Sequence, residues 1–265
     1  EEWALPKIVE VFEKNREIYN NTAYFIEASD WIVSILTSTI SRSNCSLGFK
    51  AFWDEGEGFP QDFFFELDEE FGSTVLEKLQ GQVKNVGTRA GSLTTCWAEK
   101  LNLPIGLPIA TGIIDAHSAL LGCGVHLPNT LMMVMGTSTC HLMLNPDFKE
   151  IPGISGVVKD GIIPGLYAYE AGQSAVGDIF GAYVNGHIPT SYYRDAELSG
   201  ISIFDLLEEK ASNLLPGEHG MLALDWHNGN RSLLSGSDLA GVLIGLTIHT
   251  KPEEIYRAYL ESTAF

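Results

Sequence analysis

Apolar residues recur at helical spacing through most of residues 1–100. "LPKIVEVFEKNREIY", with Pro6 near its start, "EASDWIVSILTS" and "DEEFGSTVLEKLQ" each predict a helix with one apolar face. Between the last two, "SRSNCSLGFKAFWDEGEGFP" reads as a loop. Gly48, Gly56, Gly58 and Pro60 interrupt any helix there, and aromatics crowd around Lys50. "LPIATGII" then reads as a buried strand, and "DAHSALLGCG" as a helix opened by Asp115. The pattern changes at the turn "HLPNT". Beyond it, "TLMMVMGTSTCHLMLN", "GVVKDGII" and "GLYAYEAG" predict an antiparallel meander. Amphipathic helices follow in "SAVGDIFGAYVNG", "SIFDLLEEKASNLL" and "KPEEIYRAYLESTAF". The last has Thr250 and Glu253 at capping-box spacing and Pro252 in its first turn.

Strands followed by helices on both sides of a boundary at residue 127 predict two related α/β domains, 1–127 and 128–265, facing a cleft. The chain has no initiator Met and stops inside a helix with no Gly or Asn C-cap, so it reads as an internal piece of a longer protein.

Charge narrows the partners. A formal net charge of -18 argues against nucleic acid, which needs a basic face, and means that an anionic ligand must be held by local donors. No apolar run reaches the length of a membrane span, and the charged opening "EEWALPK" is unlike a signal peptide. Cys45, Cys96, Cys123 and Cys140 show no CxxC spacing, and the last two lie in apolar stretches. Buried thiols in the reducing cytoplasm are therefore expected. No HExxH or Cys/His cluster marks a metal site. A homo-oligomer stays open, because exposed aromatics such as Tyr192 and Tyr193 suit an interface and ordinary packing alike.

Four features carry candidate chemistry. In "MGTSTC" a Gly and small hydroxyl residues turn between two strands and offer N–H groups and hydroxyls to an anion, although a plain hairpin turn has the same look. In "YEAGQSAVGDIFG", Glu170 and Gln173 sit at a strand-to-helix passage, and Gly177 and Gly181 follow one turn apart. Such glycines admit a nucleotide or another helix close to the backbone. Lys50, in "GFKAFW", suits a sugar hydroxyl or a phosphate, or the plain surface. Asp115 is either a helix cap or a base, since both need an ionised, rigidly held carboxylate.

The order "GIIDAHSALLGCGV", "VMGTSTCHL", "YEAGQSAVGDIF" and "DWHNGNRS…LAGVLIGLTIHTKPEEIYRAYLESTAF" resembles the FGGY family of carbohydrate kinases. "IEASDWIVSILTSTISRSNCSLGFKAFW" is most similar to its bacterial ribulokinase branch. The resemblance covers essentially the whole chain. It implies an α/β, actin-like (ribonuclease-H-like) ATPase fold with two domains around a cleft, incomplete at both ends. It also implies ATP and Mg²⁺ as cofactors and a ketopentose, chiefly L-ribulose, as acceptor, with xylulose, glycerol or a non-catalytic sugar sensor as alternatives. Under it, Asp115 matches the catalytic base, Lys50 and Glu170 match sugar-holding positions, Gly136, Thr137 and Ser138 match the second phosphate loop, and Gly177 matches a glycine near the nucleotide. The family's first phosphate loop and its adenine-binding segment have no counterpart in the chain, so Mg²⁺ and adenine anchoring would be incomplete and the fragment alone a poor kinase.

Overall fold

The computed structural model describes residues 3–265; Glu1 and Glu2, which open the first predicted domain, lie outside them. The chain forms two compact units. One comprises Glu1–Met132 and Leu142–Glu170, and the other Met133–His141 and Ala171–Phe265.

The first unit begins with α1 (Ala4–Lys14) and α2 (Arg16–Asn21), one predicted helix divided at Asn15, whose backbone leaves the helical region. After α3 (Ala28–Thr37) come β1 (Ser41–Ser43) and α4 (Asn44–Ala51), where a loop was expected. Helix α5 (Gln61–Leu67) leads into α6 (Glu69–Lys78), whose start is set by Asp68 accepting the Phe71 N–H at 2.9 Å. Strand β2 (Gln82–Lys84) lies parallel to β1, and β3 (Arg89–Ser92) precedes α7 (Thr95–Leu101). Strand β4 (Pro108–Ala110) pairs antiparallel with β3, and α8 (Asp115–Gly122) follows. The strand expected to be buried is thus short. It pairs with one strand only, and Pro108 and Ala110 are exposed.

Strands β5 (Leu131–Met135), β6 (Thr139–Asn145), β7 (Gly156–Lys159) and β8 (Tyr167–Gln173) form a sheet in the order β5-β6-β8-β7. A meander would place them in chain order. Instead β8, with Ala168, Tyr169 and Glu170 all buried, takes an inner place, and β7, ending at exposed Lys159, takes the edge. Strand β7 also explains α4. A Cβ on Gly48 would stand 2.5 Å from Val158 Cγ1, so the glycine serves close helix-to-strand packing and does not break the helix. Phe49, Leu120, Leu142, Leu144, Val158 and Ala168 form the core beneath, fixing α4, α8, β7 and β8 to one another.

Polar groups are also buried in this unit. The Arg42 side chain donates to the Phe25 carbonyl at 2.6 Å and the Gln80 carbonyl at 3.1 Å. On α3, Asp30 is 1% exposed, and both its oxygens accept the Ser43 N–H at 3.1 Å. Burial pushes the Asp30 carboxyl up from 3.8 to about 6, against the Ser43 N–H and the Arg42 charge, which pull it down. The folded state therefore binds this proton more tightly than the unfolded chain. The stabilisation present below about pH 4 is lost as pH rises to about 6, on the order of 3 kcal/mol. Asp30→Asn keeps an acceptor for Ser43 and removes the charge. Thermal unfolding should show the variant several degrees more stable at pH 8, with the gap closing towards pH 4. A variant less stable than wild type at pH 8 would mean that attraction to Arg42 outweighs burial.

The second unit continues with α9 (Gly177–His187), α10 (Thr190–Ser199) and α11 (Ile203–Ser212). The antiparallel pair β9 (Leu222–Leu224) and β10 (Val242–Ile244) and the helix α12 (Pro252–Ala264) complete it. Tyr183, Leu207, Ala211 and Tyr259 belong to its core. The start of α12 lies one residue from the predicted cap: the Lys251 N–H donates to Glu254 Oε2 at 2.7 Å, while Thr250 Oγ1 accepts the Thr247 N–H. Tyr192 is half-buried, its hydroxyl donating to Glu253 Oε2 at 2.5 Å, and the exposed Tyr193 donates to the Val184 carbonyl.

None of the four cysteines is in a disulfide among the described residues. Cys45 is buried, and burial pushes its thiol up to about 12. Cys123 is exposed, contrary to the expectation from its apolar neighbours, because it follows the last turn of α8. Among the described residues no helix is long and apolar enough to cross a membrane.

Candidate active site

Three elements of the first unit bring charged side chains together. Lys50 stands in the last turn of α4, next to the core residue Phe49. Its Nζ lies 4.0 Å from Glu170 Oε1. Glu170 comes from β8 and is 2% exposed. The other oxygen, Oε2, lies 3.1 Å from Nε2 of His117, which is 1% exposed on α8. A buried carboxylate is costly unless opposite charges or donors stand close, and Lys50 and His117 both stand close to Glu170. Glu27, at the N-cap of α3, also feels Lys50: burial pushes its carboxyl up, and the Lys50 charge partly offsets this.

Asp115 opens the helix that carries His117. It is exposed and occupies the first helical position, the cap position being taken by Ile114. Its Oδ1 accepts the N–H of Ala116 at 2.8 Å, and the capping bond expected from its place in the sequence is absent. The helix dipole still favours its charge. The approach to Asp115 is tied down by Ser43, whose hydroxyl donates to the Gly112 carbonyl at 2.7 Å. Ser43 is the N-cap residue of α4, so one buried residue joins the start of the Lys50 helix to the segment leading to Asp115.

In the second unit, Gly136, Thr137 and Ser138 form the link between β5 and β6. Gly136 and Thr137 are exposed and Ser138 is half-buried. The loop closes on itself through Gly136 N–H to the Ser138 carbonyl, 2.9 Å. The start of α9 grips it from behind. Val176 N–H donates to the Thr137 carbonyl at 2.8 Å, and Gly177 N–H to the Gly136 carbonyl at 3.0 Å. These donors are among those a helix start leaves unsatisfied. A Cβ on Gly177 would lie 2.6 Å from the Gly136 oxygen, so backbone contact with the loop requires glycine here. A Cβ on Gly181 would meet no atom outside its own helix within 4 Å, and Gln173 turns to Asp225 Oδ2 and the Thr263 carbonyl, both at 2.9 Å.

The structure thus unites Lys50 with Glu170, and Gly136, Thr137 and Ser138 with Gly177. Sequence reading did not single out His117, Glu27 or Ser43. His117 stands two residues from Asp115, on another face of the helix, and only the fold reveals that this face meets Glu170. Among the described residues, no group of three or more His, Cys, Asp or Glu side chains is placed to hold a metal ion.

Residues 131–265 match the C-terminal domain of the FGGY family of carbohydrate kinases. The chain is 52% identical over 264 residues to ribulokinase from Staphylococcus aureus (strain Newman), covering 100% of this chain and 48% of that protein. It is 53% identical over 264 residues to ribulokinase 2 of Staphylococcus saprophyticus, with the same coverage. The chain spans about half the length of these curated relatives. Among solved structures it is similar to xylulose kinase from Rhodospirillum rubrum, with a TM-score of 0.77 and 19% identity over 99% of this chain and 50% of that one. That likeness concerns the fold, an α/β fold of the actin-like ATPase class. With half of its length matched by the family and the whole of it aligned to the ribulokinases, the chain belongs to the FGGY family of carbohydrate kinases.

Proposed function

We propose that the intact protein transfers the γ-phosphoryl group of ATP to a ketopentose, converting L-ribulose to L-ribulose 5-phosphate in cytoplasmic arabinose catabolism. The observation that carries this reading is the buried Glu170 carboxylate, held against Lys50 in the same unit as Asp115. A polyol is bound by charged groups that accept and donate hydrogen bonds to its hydroxyls. Glu170 and Lys50 supply one of each kind. The choice of ribulose follows the ribulokinase relatives.

In this reading residues 1–127 supply the base and the sugar site, which Glu170 from residues 128–265 completes, and residues 128–265 supply the nucleotide phosphate site. Asp115 takes the proton from the attacking sugar hydroxyl, for which an exposed, charged and backbone-anchored carboxylate is suited. Glu170 and Lys50 orient the sugar. The Gly136–Ser138 loop suits phosphate oxygens, because its carbonyls at Gly136 and Thr137 are engaged by α9 while small, accessible residues form its outer side. When bound, ATP supplies the phosphoryl group, and the loop's donors would hold its charge. Among the described residues no group of three or more His, Cys, Asp or Glu side chains is placed to hold a metal ion, and no step is assigned to Mg²⁺. The partners are the sugar and ATP, with neither nucleic acid nor membrane.

A coupled ADP-release assay on the intact protein tests the proposal with L-ribulose, D-ribulose, D-xylulose and glycerol. L-ribulose should give the highest kcat/KM. Glu170→Gln should raise its KM about tenfold or more while leaving the KM for ATP within about twofold. Preference for xylulose or glycerol would reassign the acceptor. Sugar binding without phosphorylation would make the protein a sensor on a kinase fold.

A further inference from the structure

Histidine 117 has no part in the chemistry described so far, yet it is among the most buried polar side chains of the chain. It is enclosed by the elements that carry Lys50 and Glu170. Its ring centroid lies 4.4 Å from that of Phe49, the α4 residue next to Lys50. Its Nε2 faces Glu170 Oε2 at 3.1 Å, while Lys50 faces Oε1. Each oxygen of one carboxylate thus has a different partner on a different helix, and the partners lie in register because Phe49 and His117 pack together.

We propose that His117 is a positioning residue for sugar binding. It holds the Glu170 carboxylate in the rotation that presents it beside Lys50, and it links that carboxylate to the first turn of α8, which Asp115 opens. The inference rests on the reading of Glu170 and Lys50 as sugar-holding groups. A carboxylate on a flexible side chain has several low-energy rotations, and a partner on one oxygen alone leaves it free to swing. With both oxygens faced, one rotation is favoured and less ordering is left to the moment of binding. The same contact restricts α8 relative to β8. A residue on the buried side of α8 thereby influences where the exposed Asp115 stands relative to Glu170.

Two substitutions separate positioning from bulk packing. His117→Gln places an amide N–H donor near the position of Nε2, whereas His117→Leu fills the space and offers no donor. In the intact protein, His117→Leu should raise the KM for L-ribulose about tenfold or more with the KM for ATP unchanged. His117→Gln should return it to within a few-fold of wild type. Crystal structures of the two variants give a second readout that needs no turnover. Glu170 should rotate away from Lys50 in His117→Leu and stay beside it in His117→Gln. An unmoved sugar KM in an active His117→Leu variant, or an unmoved Glu170 carboxylate, overturns the proposal. So does a His117→Gln variant no better than His117→Leu. If the wild-type protein phosphorylates none of the sugars, the kinase reading fails, and the position of Glu170 in the variant structures still decides the role of His117.

Discussion

Asp115→Asn in the intact protein should lower kcat for the sugar by about 10²–10⁴-fold, the range that a positioned general base contributes. The substitution is nearly isosteric, and its amide oxygen can still accept the Ala116 N–H that Oδ1 accepts at 2.8 Å. Since Asp115 is exposed and makes no capping bond, folding should lose only the interaction of its charge with the helix start, about 1 kcal/mol or less. The amide cannot take a proton from a sugar hydroxyl. Steady-state kinetics, ATP binding by calorimetry and thermal unfolding therefore give a distinct pattern: turnover falls, while ATP affinity and melting temperature stay close to wild type. Turnover within about tenfold of wild type would remove Asp115 from the role of base.

Gly177→Ala is the second large effect, and it acts through backbone geometry. The added methyl would lie 2.6 Å from the Gly136 oxygen and 3.2 Å from its carbonyl carbon. Both are main-chain atoms, so no flexible side chain can move aside. The seam must open where α9 holds the loop through the Val176 and Gly177 N–H groups. Overpacking of this kind costs about 1–3 kcal/mol, and the melting temperature should fall by several degrees. If the loop holds phosphate, the KM for ATP should rise while the KM for the sugar does not. Gly186→Ala, on the same helix, is the control. A Cβ there meets no atom within 4 Å, and alanine favours a helix over glycine by about 1 kcal/mol. It should raise the melting temperature slightly. Equal behaviour of the two variants would show that the close approach at Gly177 is unimportant.

What was legible in the sequence were features written in local pattern. The apolar period of "DEEFGSTVLEKLQ" is recovered in α6, which Asp68 caps. The helix opened by Asp115 and the turn at Gly136–Ser138 between two strands are likewise as read. Illegible were features whose cause is a distant neighbour. The stretch around Lys50 has the local pattern of a loop because Gly48 resembles a helix breaker. The glycine serves Val158, which is remote in sequence and adjacent in space. The edge position of β7 follows from which strand has most to bury, and Cys123 is exposed despite apolar neighbours.

The candidate site divides in the same way. By itself the sequence determined the identities and spacing of Lys50, Asp115, Glu170 and the Gly136–Ser138 turn, and with them the resemblance to FGGY kinases. Local interactions set helices, turns and glycine-dependent backbone shapes, and these act over a few residues. Only the tertiary structure decided that Lys50 and His117 face opposite oxygens of Glu170, that Ser43 braces the approach to Asp115, and that Gly177 answers to the Gly136 carbonyl. Those contacts join segments far apart along the chain. They arise when packing of the shared apolar core brings α4, α8 and β8 together, and when the start of α9 closes on the turn.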